Sequence, residues 1–212
     1  MDFERLLDLI GDEPVFETGL LLAGKVNPDT VRLQLTRWTK SRRVYQLRRG
    51  LYTLAPPYQK VKPHPFLIAN RMRPASYVSL QSALAYYGLI PEETQITLSV
   101  TTGRPGRWET QLGIFEYRHI QPAWLRGYRM IDLGNQQALV ATPEKARLDL
   151  VYLLPGGDAV DYLGELRLQN LEQFDMNALR LQVEALAKPK LRRAAEIISR
   201  LARAEKEEYE QQ

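Results

Sequence analysis

Between Val26 and Leu54 the hydrophobic period changes once, from helical to alternating, and this switch constrains the fold more than any other feature of the chain. Asn27 supplies an N-cap. Pro28 fits the first helical position, where its missing N–H costs nothing, and Asp29 suits the positive end of a helix dipole. Val31, Leu35 and Trp38 then recur at i, i+4 and i+7, the apolar stripe of a helix running to about Ser41. Val44–Leu47 and Leu51–Leu54 are β-branched and aromatic runs. Arg48-Arg49-Gly50 separates them as a tight turn in which Gly50 can take positive φ. The segment therefore predicts a helix followed directly by a hairpin.

Upstream, Phe3, Leu6, Leu7 and Ile10 give one apolar face to a first helix that Gly11 and Pro14 end. A second short helix is expected over Val15–Leu22, closed by Gly24. Three helices and a hairpin within residues 1–57 are the order of a winged helix-turn-helix. Charge points the same way. From Lys25 to Lys62 there are ten basic residues against Asp29 alone, a net of +9, whereas the whole chain carries +4. Such a patch on a helix–hairpin unit implies a polyanionic partner, here duplex DNA. In that arrangement the third helix enters the major groove. Arg32, Gln34 and Arg37 are then candidates for base edges, and Thr30 and Thr36 for bases or phosphates, with Lys40 beside them. Arg42, Arg43, Arg48 and Arg49, at the helix end and wing tip, would meet phosphates or a narrow minor groove. Tyr45 and Tyr52 join Val31, Leu35 and Trp38 in the core beneath.

Pro56-Pro57, Pro63 and Pro65 mark a stiff linker and the start of a second unit over residues 58–212. There, Phe66–Met72 and Leu80–Tyr87 read as helices, with Ser79 as cap of the latter. Thr94–Thr102, Gly113–Ile120, Tyr128–Leu133 and Gln137–Ala141 read as strands, and Thr142-Pro143-Glu144 opens another helix. From about residue 156 the chain reads as helical, over Tyr162–Leu168, Met176–Ala187 and Leu191–Glu207. The expected class is α+β, a winged helix-turn-helix followed by a mixed domain with a helical C-terminus. No stretch approaches the ~20 apolar residues that cross a bilayer. The amino terminus lacks the basic and apolar regions of a signal peptide, and the chain has no cysteine. A cytoplasmic protein without membrane contact is expected.

The ordered segments Arg48–Tyr52, Tyr77–Pro91 (YVSLQSALAYYGLIP), Val100–Thr102, Gly113–Ile120 (GIFEYRHI) and Ala141–Tyr152 (ATPEKARLDLVY) resemble the AbiEi antitoxin family. The resemblance spans about Val31 to Tyr152. It implies the antitoxin of a bacterial toxin–antitoxin system, commonly described as type IV, with two jobs. The N-terminal unit would bind inverted repeats in its own promoter as a repressor. The remainder would neutralise a cognate nucleotidyltransferase-type toxin, directly or through the toxin's target. The alternative is a winged-helix repressor that senses a small molecule through its middle domain and has no toxin partner.

Enzymatic readings find little support in the sequence. A nucleotidyltransferase needs paired carboxylates to hold two metal ions. The chain has Gly156-Gly157-Asp158 and Asp161 but no Asp-x-Asp and no Glu-x-Lys or Asp-x-Lys, and its one Gly-x-x-x-x-Gly-Lys run, Gly19 to Lys25, is followed by Val26 and not by the Ser or Thr of a phosphate-cradling loop. Two histidines and no cysteine argue against a metal centre, and no cofactor is expected. Ser79 and Ser82 read as a cap and a packing residue, Tyr86 and Tyr87 as packing, and Glu144, Lys145, Asp149 and His119 as structural. Arg104, Arg107 and Trp108, in a Gly/Pro-rich loop, are candidate exposed anchors for a partner. Leu191, Ala194, Ala195, Ile198, Leu201 and Ala202 form a stripe expected to pack within the chain.

Overall fold

The computed structural model describes residues 1–23, 26–91, 95–159, 162, 175–186 and 188–210, the last ten by backbone alone. The protein is of mixed α+β class, with two separate sheets. The N-terminal part runs α1 (Phe3–Ile10), β1 (Phe16–Glu17), α2 (Thr18–Leu21), α3 (Pro28–Lys40), β2 (Val44–Arg48) and β3 (Leu51–Leu54). Asp2 caps α1, its carboxylate accepting from Arg5 N–H at 2.9 Å. The sheet order is β1-β3-β2, all antiparallel. A helix was expected over Val15–Leu22. Instead Phe16 and Glu17 pair with Tyr52 and Leu51, and only Thr18–Leu21 is helical. Cross-strand partners more than thirty positions away override the local pattern there. Gly24, expected to close that helix, lies outside the described residues.

Leu6, Ile10, Phe16, Leu21, Val31, Leu35, Trp38, Val44, Tyr52 and Leu54 form one apolar cluster under this sheet. A second, larger cluster runs from Ile68 to Ile198 and also takes in Val15, Leu47 and Leu51. The two parts of the chain thus share core residues across the proline-bearing segment, where Pro56–Tyr58 is a 3-10 turn.

The second part contains α4 (Pro65–Met72), β4 (Ser76–Val78), α5 (Leu80–Tyr86), β5 (Ile96–Thr101), β6 (Gly106–Thr110), β7 (Gly113–His119), β8 (Tyr128–Asp132), β9 (Gln137–Ala141), α6 (Pro143–Leu153), α7 (Met176–Leu186) and α8 (Pro189–Glu210). Its six-stranded sheet has the order β6-β7-β5-β4-β9-β8. The pairs β5–β7 and β4–β9 are parallel and the others antiparallel. Helix α4 packs on β4, β5 and β9, α5 on β5 and α6, and α6 on α7 and α8. The strand β6 falls where an exposed loop was expected. Trp108 is half-buried in it rather than presented to a partner, edge-on to Tyr117 with ring centroids 5.4 Å apart. Of the helix expected over 162–168, only Tyr162 is among the described residues, and Leu201 and Ala202 have no described side chains. Leu191, Ala194 and Ile198 are fully buried, packing within the chain as expected. No helix among the described residues is long and apolar enough to cross a membrane.

Candidate nucleic-acid interface

Helix α3 begins as its sequence dictates. Asn27 Oδ1 accepts from the N–H groups of Asp29 at 2.8 Å and Thr30 at 3.4 Å, satisfying two donors that a helix start leaves open. Val31, Leu35 and Trp38 are buried on one side, where Trp38 meets Phe3 edge-on at 5.7 Å, and α3 packs on β2. On the opposite side Thr30, Leu33, Arg37 and Lys40 follow one another at helical spacing, all exposed, with Arg32 and Thr36 exposed beside them. Gln34 is half-buried at the flank. Leu33 was overlooked in the sequence. It is 51% exposed amid polar residues, and its signal was an apolar residue off the stripe of Val31, Leu35 and Trp38.

Beyond α3, Arg42 takes a left-handed backbone (φ 55°) and its N–H donates to Thr39 O at 3.1 Å. The turn brings Arg43 over the Phe3 ring at 5.1 Å, a cation–π contact. Arg42, Arg43 and Arg49 are exposed. Arg32 bonds Asp29 at 2.9 Å, a solvated pair of small worth. Arg37, Lys40, Arg42 and Arg49 have no carboxylate within ion-pair distance among the described residues. Unneutralised exposed cations on one helix face and its end form a surface that attracts polyanions. Arg48 stands apart. It was grouped with Arg49 at an outward wing tip, but a register shift between Gln46 and Arg48 turns it toward α4, where its Nη2 donates to Arg71 O at 3.3 Å.

A different constellation lies inside the second part. On α6, opened by Thr142 Oγ1 accepting from Lys145 N–H at 3.3 Å, the side chains of Glu144, Lys145, Arg147 and Asp149 are all buried. Lys145 Nζ pairs with Asp149 Oδ1. Asp149 Oδ2 accepts from Tyr77 Oη at 2.9 Å and from Ser79 Oγ at 2.8 Å. Ser79 precedes α5 as expected, yet its hydroxyl goes to Asp149 and not to the helix N-terminus. Burial raises the pKa of Asp149 against the pull of Lys145, Ser79 and Tyr77, and burial with the neighbouring Asp149 raises that of Tyr77. Gly127 makes room for the lysine stem, since a Cβ there would sit 3.0 Å from Lys145 Cγ. Ser79, Lys145 and Asp149 are 0%, 1% and 0% exposed, so the cluster is sealed from solvent. It crosslinks the end of β4 to α6. His119, read as structural, is exposed, with Nδ1 2.9 Å from Gly103 O. Among the described residues no group of three or more His, Cys, Asp or Glu is placed to hold a metal ion.

Compared with protein-family models and with curated proteins, the sequence matches none of them.

Proposed function

We propose that residues 1–57 form a winged helix-turn-helix that binds duplex DNA, and that the protein is the autoregulating antitoxin of a toxin–antitoxin pair. The observation that carries the DNA-binding reading is α3, capped, buried on one side, and bearing on the other exposed Arg37 and Lys40, which have no ion-pair partner among the described residues. The helix–strand–helix–helix–hairpin order with sheet order β1-β3-β2 supports it. In this reading α3 lies in the major groove. Arg37 donates to guanine acceptors, Arg32 and Gln34 reach neighbouring edges, and Thr30 and Thr36 contact bases or phosphates. Leu33 offers an apolar surface for a thymine methyl. Lys40, Arg42, Arg43 and Arg49 neutralise phosphates. Arg48, bonded to Arg71 O, is assigned another role below.

The antitoxin half of the proposal rests on the ordered resemblance from about Val31 to Tyr152. The second part would oppose a nucleotidyltransferase-type toxin, and the promoter's inverted repeats would be the DNA target. The test is made on the full chain, because Val15, Leu47 and Leu51 belong to the larger core and cutting at residue 58 would uncover it. A fluorescent duplex from the upstream region should be bound by the wild type and released by the double variant R37A/R49A. The same double variant, co-expressed with the product of the adjacent toxin gene, should still rescue growth. Loss of rescue would contradict the division of labour, and equal duplex binding by the two proteins would contradict the interface.

A further inference from the structure

Two guanidinium groups from the two parts of the chain meet where the β2–β3 hairpin leans on α4. Arg48 ends β2 and Arg73 follows α4, and both are half-buried. With Met72, Trp108 and Tyr117 they line a cavity of about 100 Å³. Arg73 lies over the Trp108 ring at 4.8 Å and the Tyr117 ring at 5.7 Å. The Trp108 ring is in turn seated on Gly106, where a Cβ would come within 2.6 Å of it. Arg48 spends its Nη groups on the carbonyls of Arg49 at 3.0 Å and Arg71 at 3.3 Å, and its Nε is buried with no hydrogen-bond partner.

Neither arginine has a carboxylate within ion-pair distance among the described residues. The Tyr117 hydroxyl offers no counter-charge, since it donates to Ala69 O at 2.8 Å. Its pKa is raised by burial and pulled back by both Arg73 and Arg48, so both cations act on one point. Two like charges facing one crevice, with an N–H left unmade, are unfavourable unless something negative sits between them. A water needs only ~10–15 Å³ of such space, so the cavity admits a larger group.

We propose that this cavity binds one small oxyanion, a phosphate or sulfate group, held by Arg48 Nε and the Arg73 guanidinium, and that the bound anion clamps the hairpin to the second part of the chain. The same chemistry is offered by a free anion and by a phosphodiester of bound DNA. Occupancy would fix the orientation of a hairpin that carries Arg49 on its outer side, and so link an anion to the basic face.

The first arm of the test uses no DNA, so its failure is distinct from failure of the DNA-binding reading. Thermal unfolding of the full chain is measured in sodium phosphate, sodium sulfate and sodium chloride at matched ionic strength and pH. At tenfold its dissociation constant the anion should raise the midpoint by about 3–5 °C over chloride. R48Q and R73Q should each lose that difference, whereas R49Q should keep it. Because the reading is the difference between anions within one protein, a lower baseline for R73Q does not obscure it, and R48Q leaves the ring stack intact. No anion-specific rise in the wild type, or a full rise in both glutamine variants, overturns the proposal. In the second arm phosphate is titrated against a labelled duplex at constant ionic strength. Competition that R73Q abolishes assigns the site to a DNA phosphodiester, and unchanged or tighter duplex binding assigns it to a free anion.

Discussion

Ser79 Oγ donates to Asp149 Oδ2 across 2.8 Å, tying the turn before α5 to the middle of α6 through a wholly buried carboxylate. Leu80, the next residue, holds a left-handed backbone (φ 58°) that a leucine adopts only at a cost of about 1–2 kcal/mol. Replacing Ser79 by Ala leaves the carboxylate short of one donor and should destabilise the protein by about 1–3 kcal/mol. Asp149→Ala strands the Lys145 ammonium and should cost about 3–5 kcal/mol. The paired replacement K145M/D149L, which removes both charges together, should be the milder change. Urea unfolding of the four proteins checks the order, and a double variant worse than D149A would contradict the crosslink.

Arg147 is fully buried on the same helix, and none of its guanidinium nitrogens has a hydrogen-bond partner among the described residues. Burial lowers its pKa to about 10, which Tyr162 partly opposes. A methionine of similar length keeps the packing and removes the buried charge. R147M should therefore unfold about 1–3 kcal/mol later than the wild type in chemical denaturation. A loss of stability would show that the guanidinium holds an anionic group.

His64 caps α4, its Nδ1 accepting from Phe66 N–H at 3.1 Å, which requires that nitrogen to be unprotonated. Burial lowers its pKa below the ordinary 6.5. A depressed folded value means the cap's contribution is complete above pH 6.5 and disappears as pH falls through that lower value. Its size is that of an ordinary N-cap, about 1 kcal/mol. H64S, which caps at every pH, should flatten the stability change between pH 7.5 and 5 relative to the wild type. An unchanged pH profile would contradict the assignment.

What could be read from the sequence was local. Asn27, Pro28 and Gly50 announce α3 and the hairpin, and Thr142 announces α6, because caps and turns depend on a few adjacent residues. The strand β1 was hidden because Phe16-Glu17 is too short to show a period and exists through pairing with β3. The strand β6 was hidden behind Gly103 and Pro105, although alternate residues of Gly106–Thr110 are exposed, the pattern of an edge strand. The burial of Lys145, Arg147 and Asp149 was also illegible. Charged residues spaced around a helix look like a solvated face until Tyr77 and Ser79, some seventy positions earlier, are found against them. The candidate interface was legible in composition, yet the inward turn of Arg48 depends on α4 and could not be read from Arg48-Arg49-Gly50.

Among the base-reading candidates Arg37 is exposed and lies mid-face between Leu33 and Lys40. R37A should lose about 1–3 kcal/mol on the native duplex and much less on one altered at the contacted base pair. R49A should weaken binding to all duplexes alike. Competition with mutated duplexes distinguishes the two, and identical profiles would remove Arg37 from sequence reading.

The most direct measurement is duplex affinity as a function of salt. With Lys40, Arg42, Arg43 and Arg49 neutralising roughly four phosphates, log K should fall against log salt with a slope of about −3.6, reduced by about one in R49A. A flat salt dependence on upstream DNA would contradict the claim that this basic face of α3 and its flanks binds a duplex.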